Sequence, residues 1–181
     1  MERIGSRVYP QRKPRKRSAL AVPAVLAVVA LLGGCGGGTK KQEAAGRLVV
    51  GHGFSYEAPS DWTVTVTVRA AVAKRDEVTL VSVTVLPLVR AYRAALFPRV
   101  VRELDGVAAT LAGRLRGAIT ARRTVIVGGR VRQYEIAHGE LVDRLTFVLR
   151  GKREFQLTCR WHKLDGKPAA CGRLEASFRI R

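Results

Sequence analysis

Four strand-like runs in the second half of the chain constrain its fold more than any other feature. They cover residues 123–127, 130–137, 143–150 and 154–161. In the last run the apolar residues Phe155, Leu157, Cys159 and Trp161 alternate with polar ones, as in a strand with one buried face. The turns between the runs are short and contain glycine, which suits antiparallel hairpins. We therefore predict an antiparallel meander.

Two earlier runs also have the pattern of strands. Residues 63–68 alternate strictly between threonine and valine, and residues 78–85 place three valines on one face. A charged turn at residues 74–77 separates the two runs, so we expect them to form a hairpin, and we expect Pro87 to close its second strand. Residues 88–97 are ambiguous and could already be helical.

After Pro98 the hydrophobic period becomes that of a helix. Apolar residues recur every three or four positions, at Val100, Leu104, Val107, Leu111 and Leu115. Pro98 suits a first helical turn, and Gly117 is the expected stop. A second, short helix is expected from about Ala169 to Ala176. The predicted fold is α+β: an antiparallel sheet of about six strands with one long helix and one short C-terminal helix.

The amino-terminal segment has the composition of an export signal. The first 18 residues hold seven Lys or Arg and one acid, and the next 16 residues carry no charge. A basic start, an apolar core and small residues before a cut site characterise secretory signals. The segment ends in Leu32-Gly33-Gly34-Cys35, which resembles a lipobox. We expect cleavage between Gly34 and Cys35 and lipidation of the Cys35 thiol.

An uncleaved transmembrane helix is the alternative interpretation of this segment. The 20 uncharged residues from Ala19 to Gly38 are long enough to cross a bilayer. Against this interpretation, Pro23 interrupts the start, and five of the last six positions are glycine. The interpretation that we adopt divides the chain into a signal peptide (1–34), a lipidated flexible tether (35–46) and a single domain (47–181).

The expected lipid determines the expected location. Two acyl chains are sufficient for stable anchoring, since each buried methylene adds about 0.8 kcal/mol. We therefore expect a protein on the extracytoplasmic face of the cell membrane, held there by membrane lipid through acylated Cys35.

Lipidation of Cys35 leaves Cys159 and Cys171 as a pair. In an oxidising compartment two such cysteines are expected to form a disulfide. A metal site would need more ligands than these thiols and the neighbouring His162. We therefore predict a Cys159–Cys171 disulfide.

The net charge indicates anionic partners. Removal of residues 1–34 takes away seven of the 33 basic and one of the 14 acidic residues, so a charge of +13 remains. Such a charge attracts polyanions. On an exported, tethered protein the nearest polyanions are lipid headgroups and anionic envelope polymers, so nucleic acid is not an expected partner. A solvated basic surface without a specific role is the simpler explanation of the charge.

Several short motifs resemble the PsbP-like family, small α/β sandwich domains related to an extrinsic subunit of photosystem II. They include Phe54-Ser-Tyr-Glu-Ala-Pro59 with Trp62, Gly129-Arg-Val-Arg-Gln-Tyr134, the strands through Trp161 and Ala176-Ser-Phe-Arg179. The resemblance covers most of residues 48–181 and implies a PsbP-like sandwich fold. Bacterial members of this kind are often lipoproteins without an assigned activity. The resemblance implies no photosynthetic role and no metal or ligand residue here.

No catalytic set or cofactor motif is evident in the sequence. His52, His138 and His162 lack the spacing of metal ligands and are interpreted as surface or capping residues. No Gly-x-Ser-x-Gly elbow occurs, and the domain's thiols are expected to be paired. The acidic pairs Asp76-Glu77 and Glu103 with Asp105 are interpreted as solvated charges. Trp62 and Trp161 are interpreted as packing residues.

Three functions from different classes remain. The first, which we favour, is a non-enzymatic binding or scaffold module that recognises an envelope protein or anionic polymer. The alternative is a carrier of a small hydrophobic or anionic ligand in a cleft between sheet and helix, and the third is an enzyme with unrecognised residues. A carrier needs an enclosed apolar pocket of a few hundred Å³, whereas a scaffold shows an exposed apolar patch.

Overall fold

A computed structural model describes residues 45–181. The predicted signal peptide, the cleavage site at Gly34 and Cys35, and the predicted tether up to residue 44 lie outside the described residues. The strands are β1 (Gly46–Gly51), β2 (Phe54–Pro59), β3 (Thr63–Val66), β4 (Ala70–Lys74), β5 (Leu80–Tyr92), β6 (Ala118–Ile126), β7 (Arg130–His138), β8 (Leu141–His162) and β9 (Arg179–Ile180). The helices are α1 (Phe97–Arg114) and α2 (Ala169–Ser177), with 3₁₀ turns at Ala94–Leu96 and Lys163–Asp165. Within residues 45–181 no helix has the length and apolar character needed to span a bilayer.

The larger sheet is antiparallel, with the strand order β3-β4-β5-β8-β7-β6. β8 is counted once in this order, although it reverses direction near Gly151, whose φ is 55°. Its first arm pairs with β7 and its second arm with β5. Asp143 in the first arm accepts a 2.6 Å hydrogen bond from Arg160 in the second, although a straight strand would hold these residues roughly 55 Å apart. The predicted hairpin of residues 143–150 and 154–161 is therefore confirmed.

A second antiparallel sheet, in the order β1-β2-β9, was not predicted. This sheet and α2 pack against one face of the larger sheet and enclose the main apolar core. The rings of Phe54 and Phe178 each meet Phe155 edge to face, with centroids 6.2 and 5.6 Å apart. The apolar row that ends at Trp161 is buried throughout, as its alternation predicted.

The predicted disulfide joins Cys159 in β8 to Cys171 in α2, with their Cα atoms 5.5 Å apart. Both cysteines are buried in the main core. α2 begins at Ala169, as predicted, and Leu174 packs in the same core as Phe178. The disulfide therefore fastens the terminal helix to the sheet.

α1 packs on the opposite face of the larger sheet, over β7 and the first arm of β8, and confirms the predicted long helix. Its apolar stripe and the strands beneath form a separate cluster of buried residues, Leu104, Ala108, Ala112, Tyr134, Ile136, Leu145 and Phe147. The described domain is therefore an α+β sandwich with helices on both faces of the larger sheet.

The left-handed residue that ends α1 is Arg116, one position before the predicted stop at Gly117. Gly117 N donates to Ala112 O at 2.8 Å and Arg116 N donates to Gly113 O at 3.1 Å, which is the Schellman arrangement. Arg116 holds the left-handed conformation, with φ 51°, where glycine is usual. Gly117 has a different constraint, because an added Cβ would lie 2.5 Å from Ala137 O.

The predicted hairpin between residues 63–68 and 78–85 is wrong. β4 lies between β3 and β5 and pairs with both. Its sequence, Ala-Ala-Val-Ala-Lys, is rich in alanine, which has low strand propensity. Ala71 and Ala73 are nonetheless fully buried, so tertiary packing rather than local preference makes this segment a strand.

Candidate binding groove

A bulge near the end of β5 shapes the most distinctive concave surface of the domain. β5 pairs with β8 from Leu80 to Pro87, the register then shifts, and pairing resumes at Tyr92, opposite Gly151. Residues 88–91 have no register partner in β8. Pro87 has no N–H to donate to the ladder, and extra residues at such a point turn the strand outward. The prediction that Pro87 ends the strand is therefore wrong, and the ambiguous residues 88–92 belong to β5 and not to a helix.

An open groove of about 480 Å³ lies between the bulge and the first half of α1, and we call it the α1–β5 groove. Its apolar lining comes from Leu88, Val89, Tyr92, Leu96, Val100, Leu104, Val107 and Leu149. Val89 is 97% exposed, and Val107, on the facing side of α1, is 52% exposed. The groove thus joins a buried floor at Leu104 to an unusually exposed apolar rim.

Four charged residues also line the groove: Arg90, Arg99, Glu103 and Glu154. Arg99 and Glu103 form an exposed pair at 3.1 Å. Burial raises the pKa of Glu154, and its carboxylate has no ion pair with another residue of 45–181. The groove therefore offers one carboxylate whose charge is poorly compensated.

Asp143 is the centre of a buried cluster that sequence reasoning missed. Arg160 donates to its two oxygens at 2.6 and 3.0 Å, and His138 Nε2 lies 2.9 Å from Oδ2. The Asp143 side chain is 4% exposed and that of His138 is 13% exposed. Asp143 shares its strand face with Leu145, so an acid in a core-facing position was the available signal. With both oxygens engaged, the cluster acts as a structural tie between strands.

The other two histidines match their interpretation as surface or capping residues. His52 is exposed. His162 Nδ1 accepts from Leu164 N at 3.3 Å and caps the 3₁₀ turn that follows β8. Within residues 45–181 no group of three or more His, Cys, Asp or Glu is arranged to hold a metal ion.

Asp105 is not the solvated charge that the sequence suggested. It accepts from Tyr134 Oη at 2.7 Å and from Arg132 Nη2 at 3.0 Å, so it links α1 to β7. Burial, reinforced by the hydrogen bond to Asp105, raises the pKa of Tyr134 to about 12. Burial alone would raise the pKa of Asp105, but the hydrogen bonds from Tyr134 and Arg132 outweigh it and lower that pKa.

Asp76 also has a structural role, whereas Glu77 only pairs with Lys74 at the surface. Asp76 Oδ1 accepts from the backbone N–H groups of Thr79 and Val78 at 2.6 and 2.8 Å. These bonds, together with the hydrogen bond from Arg75, lower the pKa of Asp76. The carboxylate therefore stabilises the turn between β4 and β5.

Comparison with solved structures identifies the fold. CyanoP, the cyanobacterial PsbP of Synechocystis sp. PCC 6803, matches with a TM-score of 0.55 and 13% identity over 83% of this chain and 99% of its own. A Bacteroides thetaiotaomicron protein matches with a TM-score of 0.53 and 15% identity over 77% of this chain. This chain spans about half of that protein's length, 49%. No protein-family profile and no curated protein sequence matches the chain. The domain thus has a PsbP-like fold, and at these identities the likeness concerns the fold alone.

Proposed function

We propose that the protein is a lipid-anchored module of the cell envelope that binds a partner in the α1–β5 groove and catalyses no reaction. The groove itself carries this proposal, because it exposes Val89 and Val107 above an apolar floor. Large contiguous apolar patches on soluble domains usually mark a site of interaction.

The occupant that we propose is an extended apolar segment of another envelope protein. Residues 88–91 have no register partner in β8, so their backbone groups are not used in that ladder. An extended peptide that joins an exposed strand gains main-chain hydrogen bonds there, while pockets receive its alternate side chains. The apolar groove beside the bulge provides such pockets.

Glu154 adds a preference for charge. Its carboxylate lies in the groove without an ion pair to any residue of 45–181, and burial disfavours its charged form. A Lys or Arg in the bound segment would compensate that charge where water is largely excluded. The proposed segment therefore combines apolar residues with one basic residue.

A carrier function is the second candidate. A volume of about 480 Å³ falls in the range of small-molecule sites, roughly 300–1,000 Å³. Arg90 and Arg99 lie beside the apolar lining, and they suit the anionic group of a hydrophobic molecule.

Two observations support the proposed location, and a third supports the absence of catalysis. The Cys159–Cys171 disulfide suits an oxidising compartment outside the cytoplasm, and Leu32-Gly33-Gly34-Cys35 resembles the processing site of lipoproteins. Asp105 and Asp143, two of the acids that are at least partly buried, hold structural hydrogen bonds, which supports the proposed absence of catalysis.

Site-specific cross-linking tests the groove. A photoreactive amino acid at position 89 should give a discrete adduct in intact cells, whereas the same group at position 164 should not. Leu164 is a matched control because it is 85% exposed and follows the end of β8 at His162, whereas the groove lies near the β8 turn at Gly151. Val107→Asp should suppress the adduct at position 89. Equal adducts at both positions, or an adduct indifferent to Val107→Asp, would contradict the groove; a small-molecule adduct would favour the carrier.

Substitution of Cys35 tests the anchor. Cys35→Ser removes the thiol that accepts lipid, so the precursor should keep residues 1–34 and lack acyl mass. Intact-mass spectrometry of membrane extracts measures both properties. If the substitution and a lipoprotein signal peptidase inhibitor both leave the mature mass unchanged, the anchoring proposal fails.

A further inference from the structure

One end of the domain collects basic side chains from four separate parts of the chain. We call it the basic end, and it comprises Arg90, Arg93, Arg130, Arg150, Lys152, Arg153, Arg179 and Arg181. Tyr92, at the end of β5, lies opposite Gly151 in the turn of β8. Arg150, Arg130 and Ile180 line one cavity of about 290 Å³ with the β6–β7 turn.

The segment that follows α2 completes the basic end. Arg181 N donates to Gly53 O at 3.0 Å, and a Cβ added to Gly53 would meet the Arg153 guanidinium. Arg179 and Arg150 line a neighbouring cavity together. The positive charges therefore share one surface, although in sequence they are far apart.

These cations are not neutralised within the domain. None of the ion pairs among residues 45–181 includes a residue of the basic end. Arg130 lies over the Phe97 ring at 4.9 Å and Arg153 over Phe155 at 5.5 Å, so these two contacts hold the guanidinium groups without cancelling their charge.

Exposed aliphatic side chains lie among the charges. Ile126, which is paired with Arg130 at the β6–β7 turn, is 74% exposed. Leu96, which follows Arg93 closely in the chain, is 42% exposed. A soluble polyanion would need only the charges, whereas a bilayer interface also accepts aliphatic groups below the headgroups. This combination decides between the two kinds of anionic partner.

We propose that the basic end docks on an anionic phospholipid bilayer, with its arginines at the phosphates and Ile126 at the acyl boundary. This contact adjoins the α1–β5 groove, with which it shares Arg90 and Leu96, and it needs no protein partner. Each basic side chain near an anionic membrane surface contributes about 1 kcal/mol, a roughly fivefold gain in binding.

If Cys35 is lipidated, as proposed above, the basic end can reach the same bilayer that holds the lipid anchor. The chain enters β1 at Gly46, and the basic end lies near Gly53, beyond the other end of β1. That strand is roughly 17 Å long. Residues 36–46 reach at most about 40 Å, so the domain can lie along the bilayer.

Short-range quenching tests the proposal in the full chain. Ile126→Trp and Leu164→Trp place a reporter at opposite ends of the domain, and both native tryptophans are 6% exposed. The chains are added to vesicles of brominated phosphatidylcholine, with or without 30% phosphatidylglycerol. Only the reporter at position 126 should be quenched, only when the anionic lipid is present, and less in 0.5 M salt.

Paired charge variants complete the test. Arg150→Gln with Arg153→Gln, in the Ile126→Trp background, should lower the ratio of docked to undocked protein about 30-fold. Arg114→Gln with Lys167→Gln removes the same charge far from the basic end and should leave quenching unchanged. Equal quenching at both reporters, quenching without anionic lipid, or no quenching at position 126 overturns the proposal. In the last case, a spectral shift of that reporter with soluble polyphosphate would assign the surface to a polymer instead.

Discussion

The Cys159–Cys171 disulfide should carry a large share of the stability of the domain. It closes a loop that contains the 3₁₀ turn after β8 and the start of α2. In the chain-entropy model a loop of this length stabilises the folded state by about 3 kcal/mol. For a domain of this size that corresponds to a melting temperature higher by roughly 10 °C.

The packing of α2 explains why the loss should not be compensated locally. α2 has nine residues, and isolated helices shorter than about 12 residues are marginal in water. Its attachment therefore depends on the disulfide and on the burial of Ala170 and Leu174 in the main core. Reduction should loosen this helix before the rest of the domain.

Thermal unfolding followed by circular dichroism measures the effect. Purified chain carrying Cys35→Ser is compared with and without a reductant, and with the same chain carrying Cys159→Ala. The oxidised form should melt about 10 °C higher than the reduced form, whereas reductant should leave the Cys159→Ala chain unchanged. Equal melting of the oxidised and reduced forms would refute the reasoning.

Two further substitutions test individual structural interpretations. Tyr134→Phe removes the hydrogen bond to Asp105 and should lower the free energy of unfolding by about 1.5 kcal/mol at pH 7 in urea titrations; an unchanged midpoint would contradict the tie between α1 and β7. Because the folded-state pKa of Tyr134 is raised from 10.0 to about 12, stability should fall as pH rises from 10 toward 12, where the unfolded chain ionises first, and Tyr134→Phe should reduce this fall. Arg116→Gly relieves the left-handed φ of 51° and should stabilise the domain by about 0.5–1 kcal/mol; destabilisation would show that the Arg116 side chain matters more than its backbone.

The sequence was sufficient where local pattern and packing agree. The alternation around Phe155 and Leu157 predicted one arm of β8 and its buried face, because side chains of a strand point alternately to its two faces. The three-to-four-residue spacing at Leu104 and Leu111 predicted α1 for the equivalent reason in a helix. The pairing of Cys159 with Cys171 followed from the number of cysteines, since lipidation of Cys35 leaves only these two, and from the oxidising compartment that is expected for the domain.

The candidate site was hidden for a physical reason. The α1–β5 groove depends on the four residues at 88–91 that leave the β5–β8 ladder, and their sequence alone resembled the start of a helix. Only the resumption of pairing at Tyr92 shows that they form a bulge. Similarly, Asp143 and Arg160 are 17 residues apart and meet only because β8 reverses.

The sequence was enough to predict the α+β class, the long helix, the disulfide partners and the excess of positive charge, because each depends on composition or on a period within one segment. Tertiary structure alone decided which strands pair, why alanine-rich β4 is a strand, where the α1–β5 groove opens and which dispersed arginines meet at the basic end. These features depend on contacts between residues far apart in the chain, and no local pattern encodes the distance between such residues.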